Sequence, residues 1–142
     1  AAERATSKDI QRMKQLLDKQ REQVQRGDTG VEADTELHFA IGRATQNHAI
    51  EKLVSGLLEV LSHSREESLQ TAGRRQASID SHLAIVAAIE KHDEAKAREA
   101  MRYHIEQVEQ NVLLSKKEKS AMGYTRKQIN ASVDLLLNKP EV

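Results

Sequence analysis

The only proline among the 142 residues is Pro140. No pyrrolidine ring can therefore interrupt a helix anywhere before the last three positions. Ala, Leu, Glu, Gln, Lys and Arg dominate the chain, while Phe39, Tyr103 and Tyr124 are its only aromatic residues. That mixture favours helix and gives strands few of the β-branched and aromatic side chains they use. The expected fold is all-α, an antiparallel bundle of about six helices joined by short loops. The length suits one domain with a real core, here expected over 1–142, with a core over 7–117 and a C-terminal extension over 118–142.

Helix signals follow one another along the chain. Ala1 to Ala5 has helical composition with no cap ahead of it and reads as the tail of an earlier helix. Thr6 or Ser7 can cap a helix carrying Ile10, Met13, Leu16, Leu17 and Val24, which stops at Gly27-Asp28-Thr29-Gly30. A second helix is expected from Glu32 to Gln46, with Leu37, Ile41 and Ala44 inward, and Asn47 caps the next. That third helix has the most regular apolar stripe, Ile50, Leu53, Val54, Leu57, Leu58 and Leu61, and turns polar from His63. Gly73 punctuates a basic stretch. A fourth helix is expected over Ser78–Lys91, and a fifth over Glu94–Lys116, capped by Asp93, with Ala97, Met101, Ile105, Val108 and Val112 on its packed side. A last one is expected over Thr125–Asn138.

Several partner classes are excluded by simple counts. Lys and Arg total 22 and Asp and Glu total 22, so no global positive field draws this chain onto nucleic acid or an acidic membrane. The absence of cysteine removes both disulfides and thiolate metal sites. The longest purely apolar run, Leu83 to Ile89, is far below the roughly 20 residues of a membrane span. A cytoplasmic protein without membrane association is expected.

Six histidines are the unusual polar residues. His48, His63 and His92 fall at junctions or polar stretches and read as surface residues. Asp34 and His38 stand four apart, on one helix face. His82 precedes Val86 by four and Ile89 by seven, and His104 precedes Val108 by four, so both are in phase with inward positions. A buried neutral imidazole can simply bond a carbonyl. If instead the four residues converge, one carboxylate and three imidazoles make a donor set for a divalent transition metal, zinc foremost, with nickel, manganese or iron also suited. Helix phase leaves both readings open.

Three segments carry a family resemblance: Asp34-Thr35-Glu36-Leu37-His38-Phe39-Ala40-Ile41 with Ala44-Thr45-Gln46-Asn47, then Ser81-His82-Leu83-Ala84-Ile85-Val86-Ala87-Ala88-Ile89, then Asp93-Glu94-Ala95-Lys96-Ala97 leading to Met101-Arg102-Tyr103-His104. From Ala33 to Val112 the chain resembles the FCD domain, the C-terminal effector-binding domain of the FadR subfamily of bacterial GntR transcription regulators. The resemblance implies a metal held centrally in the bundle by Asp34, His38, His82 and His104. It also implies a small carboxylate or hydroxycarboxylate effector, a homodimer, and DNA binding through a separate winged helix-turn-helix domain. That domain and the first helix of the sensing bundle are expected to lie outside this sequence.

Arg75, two turns before His82 if helix reaches back that far, and Asn111, two turns after His104, are the candidate effector contacts. The plainer alternative for them is a surface arginine and an ordinary polar residue at the bundle end. Two other functions compete with effector sensing. In one, the metal itself is the signal or only ties helices together. In the other, a metalloenzyme activates water, but no further carboxylate or histidine stands in phase as a base and Glu-x-x-His does not occur. The chain is therefore read as a non-enzyme.

Overall fold

The computed structural model describes residues 1–71 and 73–121, with side chains described as far as residue 111. Six helices occupy them: α1 Ser7–Gln25, α2 Val31–Arg43, α3 His48–Val60, α4 Ser62–Gln70, α5 Arg74–Glu90 and α6 Glu94–Ala121. Among the described residues there is no strand, so the all-α expectation holds. No helix there is long and apolar enough to cross a membrane. The chain forms two compact units, Ala1–Val108 and Glu109–Val142. The expected break at residue 118 falls inside the second unit, and the expected helix over 125–138 lies outside the described residues.

Local sequence sets the helix ends. Thr6 caps α1 through a reciprocal pair: its hydroxyl accepts from the Asp9 N–H, and the Asp9 carboxylate accepts from the Thr6 N–H at 2.9 Å. Asn47 caps α3 by accepting from Ala49 and Ile50. The Lys96 N–H donates to Asp93 at the start of α6. Gly30 ends the α1–α2 turn at φ +73°, and a Cβ there would stand 3.1 Å from Val24 and 3.2 Å from Gln20. Glycine thus permits both the left-handed backbone and the close approach of α1 to α2.

The core of the first unit is built from Met13, Leu16 and Leu17 of α1, Leu37 of α2, and Ile85, Val86 and Ile89 of α5. Ala97, Ala100 and Met101 of α6 pack against it. The opening alanines close one hydrogen-bonded turn, Ala5 N–H to Ala1 O at 2.8 Å, and Ala2 and Ala5 are buried. His92 adopts φ +51° and bonds Ala2 O through Nδ1.

Four expectations need correction. Helix α5 begins at Arg74, four residues earlier than expected, because Gly73 at φ +78° makes the reversal and helix starts directly after it. The polar stretch from Ser62 to Gln70 is a helix of its own, α4. The regular stripe of α3 largely faces away from the core: Leu58 is buried, but Ile50, Leu53, Leu57 and Leu61 are exposed. Helix α3 meets α2 along its edge, where Val54 sits 3.5 Å from the position of a Cβ on Gly42. In the same way Ile105, expected inward on α6, is exposed.

Truncating Leu37, which is fully buried, to alanine is expected to lower unfolding free energy by about 2–5 kcal/mol. Thr6→Ala should cost about 1 kcal/mol through the lost cap. Urea denaturation followed by circular dichroism checks both values.

Candidate metal and effector site

Three of the four residues expected to converge do so. Ring centroids of His38 and His82 are 5.0 Å apart, those of His38 and His104 5.3 Å, and those of His82 and His104 4.6 Å. One ring nitrogen from each lies within 4.8 Å of the others. Helices α2, α5 and α6 each contribute one ring, and His82 and His104 are 0% and 6% exposed. The fourth residue, Asp34, is buried beside the cluster. Its Oδ1 is 3.6 Å from His82 Nε2, while Oδ2 is ion-paired with Arg65 of α4.

The hydrogen bonds around the rings decide which nitrogens are available. Gln20 Oε1 is 3.0 Å from His82 Nδ1. An amide oxygen can only accept, so His82 carries its proton on Nδ1 and keeps a lone pair on Nε2. Ser81 Oγ donates its single hydrogen to Ser78 O at 2.9 Å and stands 2.8 Å from His104 Nδ1. It therefore accepts from Nδ1–H, and the His104 lone pair is also on Nε2. His82 Nε2 is fully buried and has no hydrogen-bond partner. A buried, unpartnered acceptor among two other imidazoles is poorly explained by packing alone. A transition metal would use that lone pair, and the flanking acceptors are what metal-bound histidines ordinarily have on their other nitrogen. The donor set therefore fits such an ion.

Electrostatics point the same way. Burial pushes His38 down to about 4 and His104 down to about 3, the latter also through the neighbouring His38 and the arginines at positions 74 and 65. His82 lies well below the ordinary imidazole value, first through burial and then through His38, His104, Arg65 and Arg74. At neutral pH all three are uncharged, so a metal would displace no protons from them.

Asp34 sits within a polar network that sequence reading did not reveal. Ser78 Oγ donates to its Oδ1 at 3.0 Å, and Gln20 Nε2 lies 3.4 Å from both. Arg65 reaches in from α4, also donating to Thr35 Oγ1 at 3.0 Å. Burial lowers the Arg65 guanidinium to about 10. Of these residues Gln20 gave a readable signal, being a polar side chain at the i+7 position of the Met13, Leu16, Leu17 stripe. The effector candidates stand elsewhere. Arg75 donates to the carbonyls of Leu69 at the end of α4 and Gly27 in the α1–α2 turn. Asn111 is half-buried on the part of α6 that belongs to the second unit. His48, His63 and His92 are exposed, as expected.

The FCD domain model matches residues 1–107. The Uxu operon regulator of Haemophilus influenzae is 31% identical over 113 residues, which cover 76% of this chain and 42% of that relative. The chain thus spans less than half the length of this curated relative. No solved structure matches it. Fold and matches together define a ligand-sensing regulatory domain. The chain belongs to the FCD family of GntR-type transcription regulators.

Acid should unfold the metal-free domain early. The folded histidines have pKa values near 4 and 3 against an ordinary 6.5, so below that value an unfolded chain takes up protons that the folded chain refuses. Their contribution is complete above pH 6.5 and is lost as pH falls from there toward about 4 for His38 and about 3 for His104. Urea midpoints at pH 7.5, 6 and 5 are expected to fall steadily, and His104→Gln should flatten that slope.

Proposed function

We propose that this domain senses a small carboxylate or hydroxycarboxylate by means of a divalent metal, zinc foremost, held by His38, His82 and His104 with Asp34 as fourth ligand. The observation that carries the reading is the orphaned His82 Nε2, on a ring clustered with those of His38 and His104 in a domain of this family. Asp34 Oδ1 stands close enough to His82 Nε2 to join the same ion, while Oδ2 stays on Arg65. A bound ion of this kind supplies open coordination positions that effector oxygens can take.

The chain's own residues do the remaining work. Gln20 and Ser81 hold the imidazole planes, Ser78 and Arg65 hold the carboxylate, and burial keeps competing protons away. The sensing cluster takes residues from α2, α5 and α6, and its supports come from α1 and α4. An effector that binds one packing of these helices better than another shifts the equilibrium between them. We assign DNA binding to a separate winged-helix domain and expect a homodimer, since two-fold regulators match two-fold operators. A cytoplasmic setting follows from that role.

Elemental analysis after zinc reconstitution is expected to find about one ion per chain, and to find it lost in a variant with His82→Ala and His104→Ala. Zinc should raise the melting temperature of the wild type by mass action, and a carboxylate added at saturating zinc should raise it again. Stabilisation by zinc with no response to any carboxylate would make the ion itself the signal. Absence of bound zinc, nickel and manganese would overturn the reading.

A further inference from the structure

Arg74 is the first residue of α5, and the whole residue is only 6% exposed. Buried arginines commonly extend a covered stem and leave the guanidinium in water. Here the covered part includes Nε, which is buried and has no hydrogen-bond partner. Among the described residues it forms no ion pair, whereas the other deeply placed arginine, Arg65, is fully engaged by Asp34 and Thr35. The charges of Arg65 and Arg74 both act on the histidine cluster, beside which Asp34 is the one buried carboxylate among the described residues, an excess of one positive charge before any divalent ion is added. Burial of such an excess without a counter-ion is strongly unfavourable.

Position on α5 ties Arg74 to the cluster. Arg74, Ser78 and Ser81 follow an i, i+4, i+7 pattern and so share one stripe of the helix. Ser78 bonds Asp34 and Ser81 bonds His104, so the stripe that begins at Arg74 carries two residues that bond the site. The charge of Arg74 is felt by His82 and by His104. Helix α5 also starts at Gly73 without a side-chain cap, leaving its positive end available to an anion. The buried side-chain atoms without partners among the described residues are Arg74 Nε, His82 Nε2 and Ser68 Oγ. Two are on α5, and Ser68 lies three residues after Arg65, on the same face of α4. A polar ligand seated between these helices would account for unsatisfied groups on both.

We infer that Arg74 is the anion-binding residue of this domain, its guanidinium taking a carboxylate group of the effector beside the histidine cluster. The inference rests on the sensing function proposed above and names the residue that selects an acid over a neutral molecule of similar shape. The planar fork of arginine suits a carboxylate through two parallel hydrogen bonds, a geometry lysine cannot reproduce.

The test is isothermal titration of the zinc-loaded 142-residue chain with acetate, glycolate and succinate, and with succinamide as the uncharged counterpart of succinate. Zinc affinity is measured on every variant alongside. At least one acid is expected to bind, and succinamide is not. Arg74→Met should weaken the binding acid by about ten-fold or more while leaving zinc affinity within a few-fold, and Arg74→Lys should recover part of the loss. Should Arg74→Met fold poorly, the Arg74 Nε–H resonance of the wild type provides the second measurement, and it should shift with saturation by the acid. Binding of none of the three acids, equal binding by Arg74→Met, or an Nε–H signal unmoved at saturation would each overturn the inference. Acid binding that depends on Arg74 in a chain that takes up no zinc would keep the anion site and remove the metal instead.

Discussion

A buried imidazole offers a metal or ligand a directed lone pair only if its other nitrogen is held. Both conditions recur here. His82 is held by Gln20 from α1, and His104 by Ser81 from the neighbouring stripe of α5. Burial keeps the rings neutral, and the fixed acceptors put the proton on Nδ1, leaving Nε2 to face inward. Without those two hydrogen bonds the rings could rotate or change tautomer, and the cluster would be three ordinary core histidines.

The same bonds knit the helices of the first unit together. Gln20 touches His82, Asp34 and Ser78, so one amide of α1 spans α2 and α5. Asp34 then connects to α4 through Arg65. Helix α4 has little apolar surface of its own beyond the buried Leu69, so this ion pair is a principal attachment. A buried network of this kind adds less net stability than its bond count suggests, since every member is desolvated. Its value lies in holding α1, α2, α4 and α5 in one register while remaining responsive to a ligand that competes for Asp34 or the arginines.

Much of this was legible in the sequence. The four-residue spacing of Asp34 and His38, and the phase of His82 and His104 with apolar neighbours, place all four on inward faces, and the structure brings the three imidazoles together. The supporting residues were less visible. Periodicity marks Gln20 as inward but does not say what it meets, and Ser78 and Ser81 are small enough to pass for packing. Arg75 keeps better angular phase with His82, yet its side chain folds back onto the carbonyls of Leu69 and Gly27, and its neighbour Arg74 is the one buried. That outcome depends on where the Gly73 reversal starts α5, which no stripe encodes. The apolar face of α3 illustrates the same limit: a moment shows that a face is apolar, not that this unit covers it.

X-ray absorption at the zinc edge of the reconstituted chain addresses the central assignment most directly, because it reads the donors rather than the affinity. Three histidines around one ion predict a nitrogen and oxygen shell at about 2.0–2.1 Å with the outer-shell scattering of imidazole rings, a signal lost with the ion in the His82→Ala and His104→Ala variant. A shell of oxygens without imidazole scattering, or a spectrum unchanged by that double substitution, would contradict the assignment.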